Sequence, residues 1–76
     1  MKGDQRFAFK KGYNRIAGGD QLRFRAELME RLDIRNAVSF YVRMRGEIIP
    51  RVTDVEIIEE LMLKYGVKKS EIWGIA

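Results

Sequence analysis

Asn36, Ser39 and Arg43 stand three and four residues apart, a spacing that puts all three on one edge of a helix. Asparagine pairs bidentately with adenine, arginine with guanine, and serine with either a base or a phosphate. Arg35 and Arg45 bracket the set, placed for backbone or guanine contact. The chemistry on offer is recognition of a base edge rather than bond making. Groups for catalysis are scarce: no cysteine and no histidine occurs in the chain. Thiolate nucleophiles, disulfides, zinc fingers and imidazole acid–base chemistry go with them. Glu56, Glu59, Glu60 and Glu71 read as a solvated helix face, and Gly18-Gly19-Asp20 lacks the Lys-Ser/Thr of a phosphate loop. No enzyme activity, metal, cofactor or small-molecule substrate is expected.

The elements that must carry these residues can be marked out from periodicity and caps. Phe24, Leu28 and Leu32 recur at helical spacing, with Leu22, Ala26 and Met29 widening the apolar stripe and Asp20 as N-cap. That places a helix over 21–32, with a Glu27–Arg31 pair on its outer side. Asp33-Ile34-Arg35 reads as a turn, and Asn36 as the cap of a second helix over 37–45. Ala37, Val38, Phe40, Tyr41, Val42 and Met44 cover most of that helix, leaving Asn36, Ser39 and Arg43 as its only aqueous strip. Phe40 is expected in the core. Gly46 permits a left-handed exit and Pro50 forbids continuation. Thr53-Asp54-Val55-Glu56 reads as a capping box for a third helix, with Ile58, Leu61, Met62 and Tyr65 buried. Gly66 ends it with Val67 folding back on Met62, and Ser70 starts a short turn that brings Ile72 and Trp73 to the core.

Before Gly18 the pattern is mixed. Phe7 and Phe9 alternate with polar residues as in a short strand or extended arm, whereas Tyr13 and Ile16 equally suit a docked helical turn. Lys10, Lys11 and Arg15, with Lys2 and Arg6, make this segment basic. It would track phosphates or enter a minor groove, or else serve as a solvated tail. Its aromatics suit base stacking on single strands, or a core that needs them. The division expected is a basic N-terminal arm over 1–19 and a helix-turn-helix domain over 20–76.

Composition sets the frame. Seventy-six residues make one domain, and 46% apolar content suits a folded one. No apolar run suggests a membrane span or secretory signal, so a cytoplasmic protein is expected. Net charge is +4, distributed unevenly. Residues 1–52 hold twelve Lys/Arg against six Asp/Glu, and residues 53–76 hold three against five. A basic front and an acidic back suit approach to a polyanion from one side.

The run ELMERLDI, Glu27 to Ile34, resembles the first half of the helix-turn-helix in the λ-repressor-like (Cro/CI-type) family, where E-L-A-x-x-L-G-V is usual. Met29 stands at the usual Ala and Asp33 at the usual turn Gly. Arg45-Gly46 with Pro50 resembles that family's R-G-x-x-x-P, and Gly66 to Ile72 its closing G-V-S-x-D-E-L. The chain departs from the pattern in its 1–19 segment, in one extra residue between Leu32 and Gly46, and in a longer span from Pro50 to Gly66. F-x-F-K-K-G-Y-N near the start and Y-G-x-x-x-x-x-I-W-G near the end also resemble short proteins of Bacteroides-type bacteria and their mobile elements. The likeness implies a mostly α fold: a small helix-turn-helix bundle of three main helices plus a C-terminal turn, with an N-terminal arm or short strand. It implies sequence-specific double-stranded DNA binding by a small bacterial transcription regulator, with homodimerisation on a palindromic site as the expectation for the fold. Arg35, Asn36, Ser39, Arg43 and Arg45 would meet DNA from the second helix and its ends, and Lys10, Lys11 and Arg15 from the arm. The alternative is a protein-interaction adaptor that uses the acidic third helix and the apolar C-terminus without nucleic acid. Ile48, Ile49, Trp73 and Ile75 are candidates for a partner surface or for the core.

Overall fold

The chain closes around Phe9. In a computed structural model, which describes residues 7–75, this side chain is fully buried and meets Phe24, Phe40 and Trp73 edge to face, with ring centroids 5.9–6.4 Å apart. Four helices surround it: α1 (Lys10–Arg15), α2 (Gly18–Arg31), α3 (Ala37–Met44) and α4 (Val52–Lys64), followed by a 3₁₀ turn at Lys69–Glu71. The protein is mostly helical, and no strand occurs among the described residues.

The docked turn at Tyr13 and Ile16 is the form that the N-terminal segment takes. In the segment expected as an arm or strand, Ala8, Phe9 and Ile16 are buried in the core while Lys10, Asn14 and Arg15 stay exposed, and the Phe7-Phe9 alternation survives only as an isolated parallel bridge from Phe9 to Gly74. Residues 1–6, with Lys2 and Arg6, lie outside the described residues. Gly12 makes the docking possible. Its N–H donates to Ile72 O at 3.0 Å, and a Cβ there would fall 2.8 Å from that same oxygen.

α2 begins two residues before the expected Asp20 cap. Ala17 O already accepts from the N–H groups of Asp20 and Gln21, so Asp20 lies inside the first turn, where its charge still suits the helix dipole. The Gln21 amide reaches back to Tyr13 O at 2.9 Å, satisfying a carbonyl at the end of α1. Phe24 and Leu28 are buried and Met29 and Leu32 half-buried, but Leu22 and Ala26 are exposed. The seam is narrower than the apolar stripe because the large side chains one turn apart, Phe24 and Leu28, fill the available centre.

α2, α3 and α4 close in the same way. The residue after each C-cap takes a left-handed conformation: Asp33 (φ 56°), Gly46 (φ 81°) and Gly66 (φ 86°). After α2, Ile34 N donates to Met29 O at 2.8 Å and Asp33 N to Glu30 O at 3.3 Å, the paired bonds of a Schellman motif. Gly46 has a second constraint, since a Cβ on it would meet Ala8 Cβ at 3.0 Å. Val67 folds back as expected, donating to Met62 O at 3.0 Å.

α4 starts at Val52 rather than after Thr53. Arg51 is the N-cap, and Asp54, one turn in, accepts from Arg51 N at 3.3 Å. Pro50 has no N–H to donate to a helix, so α4 opens after it, at Arg51. Ile58, Leu61 and Met62 are buried as expected, and Tyr65 is half-buried. Glu27 does not pair with Arg31. Instead Lys64 Nζ reaches Glu27 Oε2 at 2.8 Å, Tyr65 Oη donates to Glu27 Oε1 at 2.9 Å, and Arg31 Nη2 meets Glu60 Oε1 at 3.5 Å. The packing of α4 along α2 offers partners across the seam in place of those on one helix.

Candidate nucleic-acid interface

α3 is anchored by two side chains. Phe40 is fully buried and Met44 nearly so, and this fixes which side of the helix faces out. Contrary to the expectation of a helix packed on three sides, Val38 is 72% exposed and Ala37 and Arg45 are exposed as well. Phe40 and Met44 carry far more apolar area than Ala37 and Val38, so the helix rotates to bury the large pair. Tyr41 and Val42 lie half-buried at the sides.

The expected reading strip is consequently a flank. Asn36 Oδ1 accepts from Ser39 N at 2.9 Å, which confirms the cap and commits that oxygen to the helix. The Asn36 side chain stays exposed, and Ser39 is half-buried. Arg43 turns towards the start of α4: Nη1 lies 3.9 Å from Asp54 Oδ2, and its stem walls a shallow depression with Leu32, Ile48, Pro50 and Ile58. Its Nε is buried and has no hydrogen-bond partner among the described residues. Arg35 projects fully into solvent beside Asp33 (3.4 Å), and Arg45 pairs with Glu47 at 2.7 Å. Arg15 approaches Glu71 at 3.8 Å. Asn36, Arg35 and Arg45 are thus together at the two ends of the outward face of α3. Ser39 and Arg43 lie to one side of it, and Lys10, Lys11 and Arg15 belong to α1.

Ion pairing sharpens the charge asymmetry. Glu27, Asp33, Glu47, Asp54, Glu60 and Glu71 are all engaged by cations. Lys10, Lys11, Arg23, Arg25, Arg51, Lys68 and Lys69 have no ion pair among the described residues. Two of the four acids of α4, Asp54 and Glu60, are held by arginines of α3 and α2, and among the described residues the cations without an ion pair outnumber the acids without one. Arg25 was not singled out from the sequence. Its signal there was only an arginine facing away from the Phe24–Leu28 seam, which does not separate it from Arg23.

The other charged groups are structural. Glu27 is held below the usual carboxylate range by the Lys64 ammonium first and the Tyr65 hydroxyl second, while Lys64 and Tyr65 are pushed up by the same carboxylate. Trp73 Nε1 donates to Glu59 Oε2 at 2.9 Å. No cluster of acidic side chains able to hold a metal ion occurs among the described residues, and no helix is long and apolar enough to cross a membrane. No protein-family model, curated protein or solved structure matches this chain.

Proposed function

We propose that the chain binds double-stranded DNA through α2, the intervening turn and α3, as a small cytoplasmic regulator of transcription. The observation that carries this reading is the two-helix unit itself. α2 is closed by a left-handed Asp33, the position at which the λ-repressor-like pattern has glycine, and α3 is opened by the Asn36 cap. α3 then presents a face turned away from the core, with Arg35 and Asn36 at its start, Val38 on its first turn and Arg45 at its end. A helix so mounted enters a major groove with its N-terminal residues leading. Val38 suits a thymine methyl, the Asn36 amide a base acceptor, and Arg35 and Arg45 a guanine or phosphate. The Asp33–Arg35 and Arg45–Glu47 pairs are at the surface and exchange for phosphate at little cost.

The test is a fluorescence-polarisation titration of the full chain on random duplex DNA at two salt concentrations. Binding that weakens steeply and linearly with log salt, roughly 50 to 200 mM, is the expected result. Absence of binding at low salt would overturn the reading. A second reading draws on the loop between α3 and α4, where Ile49 is 69% exposed beside Ile48 and Val52. Such a loop suits a protein partner, including a second copy of the chain, and it becomes the leading reading if duplex DNA fails to bind.

A further inference from the structure

Among the described residues, Arg25 is the one cation without an ion pair that the structure holds in place from the proposed reading helix. It sits half-buried on α2, and its Nη1 donates to Tyr41 Oη at 3.1 Å. Tyr41 is itself fixed, its ring packed edge-on to Phe40 at 5.2 Å. Tyr13 completes the group, packing on Phe24 and Phe40, and burial raises its hydroxyl pKa. No carboxylate engages Arg25 among the described residues. A guanidinium carries five N–H donors in one plane, and among the described residues only one of them has a protein acceptor. The rest suit an oxyanion with several acceptor oxygens.

Tyr41 follows Val38 by one turn and precedes Arg45 by another, so the pair lies beside the outward face of α3. A helix in the major groove, about 12 Å wide, is flanked on both sides by sugar–phosphate backbone. A cation on the neighbouring helix therefore meets phosphate, not base. We propose that Arg25, oriented by the Tyr41 hydroxyl, is a phosphodiester-binding residue of this interface. The inference rests on the DNA-binding reading above and adds to it a backbone contact from α2.

The experiment compares the salt dependence of duplex binding for the wild type, Arg25→Gln, Tyr41→Phe and Arg31→Gln, each checked for folding by circular dichroism. Arg25→Gln should weaken binding to all duplex sequences alike and lower the slope of log affinity against log salt by about one. Arg31→Gln removes the same charge from α2 but from a side chain paired with Glu60, and should leave the slope unchanged. Tyr41→Phe keeps every charge and should still weaken binding severalfold, because the guanidinium is no longer held. If Arg25→Gln binds with the wild-type slope, or loses affinity on one sequence only, the phosphate role is overturned while DNA binding stands. If Arg25→Gln does not fold, Tyr41→Phe decides, and wild-type affinity in that variant overturns the proposal. A wild type that binds no duplex removes both readings together.

Discussion

At Gly12 a hydrogen in place of a methyl group lets the two ends of the chain meet. An alanine Cβ would stand 2.8 Å from Ile72 O, 2.9 Å from Ile72 Cα and 3.0 Å from Met62 Sδ, and the first two are backbone that cannot swing aside. In an ordinary helix Gly→Ala stabilises by about 1 kcal/mol. Here Gly12→Ala should destabilise by about 1–3 kcal/mol, the range for overpacking a filled core, read as a lower urea midpoint at unchanged slope. A raised midpoint would mean that α1 does not lie on Ile72. In the sequence Gly12 is only one residue of the F-x-F-K-K-G-Y-N stretch, because its partner is remote along the chain. Asp33 differs: the likeness to the λ-repressor pattern puts it where a turn glycine is usual, and Asp tolerates the left-handed region better than most residues.

Helix ends were legible where the cap is local. Asn36, Gly46 and Gly66 act within a few residues of themselves, and each does what its position implies. The starts of α2 and α4 were legible only to within a turn, since neither Ala17 nor Arg51 advertises a cap with its side chain. Charge pairing was not legible at all. Glu27 has Arg31 one turn away on its own helix, yet it binds Lys64 and Tyr65 of the opposing element. That choice predicts a pH dependence. The folded-state pKa of Glu27 is lowered, so its contribution is present above the unfolded value, about 4.3, and disappears as pH falls through the lower folded value. Lys64 and Tyr65 are raised, so theirs is present below their unfolded values and lost as pH climbs past 10. Glu27→Gln should flatten both limbs of a plot of melting temperature against pH, by thermal denaturation followed by circular dichroism. Retention of the wild-type acid limb would show that Glu27 does not make these contacts in solution.

Over the whole molecule the two terminal motifs form one clasp. Phe7 meets Trp73 with ring centroids 5.9 Å apart, Lys11 N donates to Gly74 O, and Gly74 N donates to Ala8 O at 2.7 Å. The F-x-F-K-K-G-Y-N and I-W-G segments are thereby accounted for by packing, independently of any ligand. Trp73 is the sole tryptophan and sits in this clasp, whereas the helices dominate far-UV circular dichroism. The two signals should trace one coincident urea transition, as for a single cooperative unit. Fluorescence changing well before helix loss would show that the clasp is a separate, weaker subunit of the fold. Trp73→Ala should lower stability by about 2–4 kcal/mol, less than for a fully buried tryptophan because one edge remains exposed.

Hydrophobic spacing and local caps determined by themselves that this chain forms short helices, where α2 and α3 meet, and that positive charge gathers towards its front. These properties depend on neighbours a turn away, which a sequence displays directly. Which side of α3 faces water was decided by the tertiary structure alone. Burying Phe40 and Met44 turned Val38 and Arg45 outward and swung Arg43 against Asp54, and the approach of α2 put Arg25 on the Tyr41 hydroxyl. Helical periodicity lists the candidates for each face, but only competition among large side chains for one small core selects between them.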